Sequence, residues 1–167
     1  MPYAYYHRLT AKRRRIYRRS DSIDSVDLPG IAELRPLTLD LEEALLSESR
    51  SVVAAASQAL ADALTRSLGV EPLEVVVQLA RPRGSRSELH GLYEPCSSGR
   101  EAQISVWMRT AKRQQVVAFR TFLRTFLHEV CHHLDYELYG LPESFHTQGF
   151  YKRESSLFRQ IVDARQE

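Results

Sequence analysis

The chain has 167 residues, 43% of them hydrophobic and 26% charged, a size and balance that fit one soluble domain around a single core. No apolar run approaches the roughly 20 residues of a membrane helix. The N-terminus lacks the roughly 7 to 15 residue apolar stretch of a secretory signal, so a cytoplasmic protein without membrane contact is expected.

Residues 1–20 carry Arg8, Lys12, Arg13, Arg14, Arg15, Arg18 and Arg19 and no acid, which leaves 16 bases against 21 acids in the remainder. Residues 8–19 therefore read as a basic arm, able to contact nucleic acid or an acidic partner but more commonly a solvated helix face. Residues 20–37 mix acids and serines with Pro29, Gly30 and Pro36 and read as a connector. The chain is thus expected to divide into an arm and connector at 1–37 and a folded domain at 38–167.

From Thr38, apolar residues recur at three and four through Leu41, Ala44, Leu45, Val52, Ala56, Leu60 and Leu64. A long helix is expected, with Asp40 as N-cap and Gly69 as its stop, interrupted near Ser47–Ser51. Three strand-like pieces follow at 73–80, 88–94 and 102–110, enough for a small sheet. Helical spacing returns over 116–139 and ends at Gly140, and a last amphipathic helix starts near Thr147.

Chemistry concentrates in the second of these helical regions, where His128-Glu129-Val130-Cys131-His132 forms an HExxH pattern. Positions i and i+4 lie one turn apart on one face, so both imidazoles can reach one cation. Zinc accepts neutral imidazole nitrogen at about 2.0–2.1 Å, and a catalytic site keeps three protein ligands and one open position. Glu129 then falls where it can take a proton from water. The two cysteines, Cys96 and Cys131, are too few for a disulfide framework or a four-cysteine zinc ribbon, which leaves the metal to histidine and carboxylate. His146 is the favoured third ligand because the short YGLPESF turn can fold the chain back.

Other residues near the motif have weaker claims. Asp135 suits the orientation of a ligand imidazole, while Glu143 and Glu154 are lesser ligand candidates. His133, about 100° around the helix from His132, and Cys131 are out of phase with the ligands. His90, Tyr93, Tyr151 and Arg153 are candidate donors to a developing oxyanion, with packing or surface charge as their plainer roles.

The stretch HEVCHHLDYELYGLPESFHTQGFYKRESSLF resembles the active-site region of SprT-like zinc metallopeptidases, within the wider zincin group. The resemblance covers about residues 100–162. It implies His128, His132 and His146 as Zn2+ ligands, Glu129 as catalytic base, and Phe150 as the aromatic residue four places after the third histidine. It also implies an α+β, zincin-like fold: a small mixed β-sheet, an HExxH active-site helix and flanking helices. In such a fold 102–110 would be the edge strand to which a peptide or protein substrate adds. The expected function is that of a zinc metallopeptidase. The alternatives are a non-catalytic zinc-binding regulatory module and a nucleic-acid-associated protein that uses its basic arm.

Overall fold

Alternation and helical periodicity are realised in the computed structural model, which describes residues 2–80 and 91–163. A 3-10 turn at Ala4–Arg8 leads into α1 (Ala11–Asp21), α2 (Ile31–Leu46) and α3 (Arg50–Leu68), then β1 (Leu73–Ala80), β2 (Gly91–Glu94) and β3 (Ala102–Arg109), and finally α4 (Phe119–Glu137) and α5 (Gln148–Asp163). The fold is α+β, with a three-stranded mixed sheet of order β1-β3-β2. β1 and β3 run parallel, Val75 beside Ile104 and Val77 beside Val106. β2 returns antiparallel, placing Tyr93 beside Ile104 and Gly91 beside Val106.

Every second residue of β3, from Ala102 to Met108, is buried, and Leu73, Val75 and Val77 continue that face on β1. A strand with one face in the core requires this period of two. α3 packs on β1, and α4 packs on β2 and β3. The core continues through Leu34 and Leu41 of α2, Leu60 and Leu64 of α3, Phe122, Phe126 and Leu127 of α4, and Leu157 and Ile161 of α5. Burying each such side chain contributes about 1.5–3 kcal/mol. Among the described residues no helix is long and apolar enough to cross a membrane.

Several expectations change. Residues 31–37, expected in the connector, belong to α2, which begins after Gly30 and contains Pro36. Burial of Leu34 and Thr38 together with Leu41, Ala44 and Leu45 makes one continuous stripe, and that packing outweighs the helix-breaking tendency of Pro36. Asp40 is accordingly an exposed residue within α2 rather than an N-cap. The interruption falls at residues 47–49, where Glu48 adopts a φ of 56°, and Gly69 closes α3 at a φ of 65°. Val116 and Val117, expected in a helix, extend the sheet instead: Val116 bridges Arg109, and Val117 N donates to Met108 O at 2.8 Å. For the strand expected at 88–94, the structure gives Gly91–Glu94, and 88–90 lie outside the described residues.

The strand expected at the edge, 102–110, is central, because β2 covers its second side. The edges are therefore β1 and β2. On β1 the Gln58 side chain occupies the outer backbone groups, donating to Leu73 O at 2.9 Å and accepting from Val75 N at 2.8 Å.

α1 is not a freely solvated basic face. Ile16 and Tyr17 join Leu141 and Phe145 in a second small apolar cluster, and Ser20 is fully buried. Arg13 pairs with Glu143, Arg14 donates to the carbonyls of Tyr6 and His7, and Arg19 donates to the carbonyl of Tyr139. Arg8, Lys12, Arg15 and Arg18 remain exposed.

Candidate metal centre

α4 is helical because Phe119, Phe122, Leu123, Phe126, Leu127, Val130, Cys131 and Leu134 pack into the core, which turns His128 and His132 together toward the opposite rim. After α4, Gly140 takes a φ of 58° and Leu141 N donates to Asp135 O at 2.8 Å, reversing the chain. The reversal carries His146 back to the helix. Its Nε2 lies 3.0 Å from His128 Nε2 and 3.0 Å from His132 Nε2. The three candidate ligand atoms all fall within 4.8 Å of one another, close enough to bind one metal ion. Tetrahedral bonds of about 2.0–2.1 Å separate neighbouring ligand atoms by about 3.3 Å, close to the two separations of 3.0 Å made by His146. The Phe150 ring lies against all three imidazoles, at centroid distances of 5.0, 4.7 and 5.1 Å.

The other ring nitrogens are held from behind. His128 Nδ1 is 2.9 Å from Glu154 Oε2, and His132 Nδ1 is 2.7 Å from Ser144 Oγ, which donates to Asp135 Oδ2 at 2.6 Å. Because the Ser144 proton goes to Asp135, the His132 Nδ1–H must donate to Ser144. Its Nε2 lone pair is then free for a cation. Arg153 Nη2 donates to Asp135 Oδ1 at 2.8 Å, and this pair is almost fully buried. Burial pushes the Asp135 carboxyl above its ordinary range, against the pull of Arg153 and Ser144. Burial also lowers His132 to about 3, aided by the neighbouring His146 and His128, and it lowers His146. Both shifts favour the neutral ring, the form that ligates metal.

Glu129 projects from the same turn of α4 and is 5% exposed. It packs beneath β2, where a Cβ on Gly91 would come within 2.7 Å of Glu129 Cγ and Oε1. Only a residue without a side chain lets the strand lie this close. Burial raises the carboxyl to about 7, with His128 opposing and Glu154 reinforcing the shift. Glu129, the three histidines and β2 share the lining of one open cleft of about 740 Å³.

The remaining candidates separate clearly. Glu143 is engaged by Arg13 and is not at the metal-binding point. Glu154 stands behind His128, and Asp135 acts on His132 through Ser144 rather than directly. Arg153, a candidate oxyanion donor, is 1% exposed and committed to Asp135 and to the carbonyls of Ser20 and Ile23. Tyr93 lines the cleft, but its hydroxyl meets His133 Nδ1 at 3.0 Å. His133 Nε2 lies 2.8 Å from the Glu71 carbonyl, which can only accept, so Nδ1 accepts from Tyr93. That hydroxyl is spent on structure, and burial raises its pKa. Tyr151 lines the cleft with its ring stacked on His146 at 5.8 Å. His90 lies outside the described residues. Cys131 is buried, and burial raises its thiol well above the ordinary value.

The sequence reading missed Ser144, which lies in the turn between helices, where no periodic pattern marks a residue. It also missed the support from α1. Asp21 Oδ1 accepts from Gly149 N at 2.9 Å, and a Cβ on Gly149 would lie 2.5 Å from the Asp21 carbonyl oxygen. Gly149 itself was the available signal, as a glycine in the first turn of a helix at a position that needs no turn.

Comparison of the chain with protein-family models, with curated proteins and with solved structures finds no match.

Proposed function

We propose that this chain is a zinc-dependent peptidase of the SprT-like, minimal zincin kind. The observation that carries the reading is the convergence of three imidazole nitrogens beside a buried carboxylate at the floor of an open cleft. Among the described residues the ligand group has three members, the donor set of catalytic zinc rather than of a closed structural site. Nitrogen donors at this spacing suit Zn2+, and the hydrogen bonds behind His128 and His132 supply the orientation that such ligands need.

In this reading His128, His132 and His146 hold the ion, which when bound supplies Lewis acidity toward a carbonyl and toward water. Glu129 accepts the proton of the attacking water and passes it to the departing amine. A carboxyl raised to about 7 by burial is suited to both transfers, since its affinity for the proton is close to balanced at neutral pH. β2, bordering the cleft, offers its backbone to an extended peptide, and Gly91 keeps the strand near the carboxylate. This role falls to β2 and not to the central strand β3. The nucleic-acid alternative is weakened because Arg13, Arg14 and Arg19 are occupied within the chain.

The test is metal analysis and hydrolysis on the full chain. One zinc per chain is expected in both the parent and Glu129→Gln, with cleavage of an unfolded casein substrate by the parent and none by the variant. Equal cleavage by the two proteins, or a parent that neither holds zinc nor cleaves, would sink the proposal.

A further inference from the structure

Two of the three candidate ligands are fixed through their own rings, since His128 and His132 each have an Nδ1 partner. His146 differs. It lies between α4 and α5, outside both helices, and its ring contacts to His128 and His132 run through Nε2. Its position is set through the backbone on either side.

The Tyr5 hydroxyl donates to the His146 carbonyl at 3.0 Å. Before His146, Arg13 grips Glu143 through Nε at 2.9 and 3.0 Å and through Nη2 at 2.5 Å, and the Tyr17 ring packs against Phe145 at 6.1 Å. After it, the Ser20 hydroxyl is 3.3 Å from that of Thr147, Asp21 receives the Gly149 N–H, and Arg153 donates to the Ser20 carbonyl at 2.6 Å. From Glu143 to Arg153 the chain is therefore held at short intervals by residues 5–21, more than 120 positions away in sequence.

We propose that residues 5–21 are a working part of the metal centre: they clamp the 143–153 stretch so that His146 meets the two imidazoles of α4, with Tyr5 and Arg13 as positioning residues. The inference rests on the reading of the three histidines as a metal site. It gives a role to the surface pair of Arg13 with Glu143, which lies three residues before a candidate ligand. It also makes clamp and cation mutually dependent. Both favour the same placement of His146, so each strengthens the other by the same factor.

Full-length parent, Tyr5→Phe, Arg13→Glu, Glu143→Arg and the exchanged pair Arg13→Glu/Glu143→Arg are titrated with Zn2+ against a chromophoric chelator. Co2+ absorption in the visible range reports ligand geometry in the same proteins. Tyr5→Phe is expected to weaken Zn2+ binding roughly three- to tenfold, the effect of one hydrogen bond. Each single charge reversal is expected to weaken it roughly two- to fivefold, as befits an exposed pair, and the exchanged pair to restore the parent's affinity. The cobalt band should lose intensity in the single variants and regain it in the exchanged pair, a response that a purely structural role for α1 does not give. Parent-like affinity and spectra in all the single variants overturn the clamp and leave the metal site standing. A parent that takes up neither ion overturns both. Tyr5→Phe removes only a hydroxyl, so it decides the question even where a charge-reversed chain does not fold.

Discussion

α4 and the stretch from Gly140 to Arg153 meet at the same three imidazoles, but they are built on different terms. In α4 the spacing of His128 and His132 follows from helical geometry, and the helix is secured by a row of buried phenylalanines and leucines on its other face. In the second region the decisive contacts are polar and remote. Arg153 and Asp135 form a buried ion pair, Ser144 links that pair to His132, and Ser20 and Asp21 brace the start of α5. The difference teaches where precision in such a site comes from. Apolar packing is non-directional, whereas a buried polar chain is satisfied in one arrangement only and so specifies the orientation of a ring.

The comparison can be broken first at the helix. His132→Ala removes one of the two candidate ligands that local geometry supplies, and under the proposed function the expected outcome is loss of zinc from the purified chain by elemental analysis while the far-ultraviolet helix signal is retained. Retained stoichiometric zinc would show that the helix face is not the metal site. The second region is probed by Arg153→Met, which leaves the Asp135 carboxylate buried without its partner. A loss of about 3–5 kcal/mol in denaturant unfolding is expected, larger than for an exposed arginine such as Arg15. The smallest effect is assigned to the link between the regions. Ser144→Ala should lower zinc affinity roughly tenfold, measured by chelator competition, and cost about 1–3 kcal/mol in unfolding because Asp135 Oδ2 loses its donor. A Ser144→Ala chain with the parent's affinity would mean that His132 needs no support from behind.

Much of the site was legible because it obeys a local rule. A spacing of four within a helix places His128 beside His132 whatever the rest of the chain does, and the stop at Gly140 with Pro142 beyond it announces a reversal that can return His146. Phe150 was legible by resemblance. The sheet was less so: alternation marks Ile104, Val106 and Met108 as a strand with one buried face, but no residue of that strand records whether its second side is paired. The resemblance alone made β3 an edge, and it proved to be the centre. The start of α2 was obscured for a related reason. Pro36 is a local signal against helix, and the burial of Leu34 that overrides it is a property of the packed core.

What the sequence determined by itself, then, is whatever depends on neighbours within a turn or two: the helices' apolar faces, the strands' alternation and the pairing of the two imidazoles on α4. Tertiary structure alone decided that β2 is the strand beside Glu129, that Tyr93 and Arg153 are spent on internal bonds, and that a stretch read as a basic arm braces the third histidine. Those outcomes rest on contacts between residues far apart in the chain. Their energies exist only once the intervening core has formed, so no local pattern encodes them.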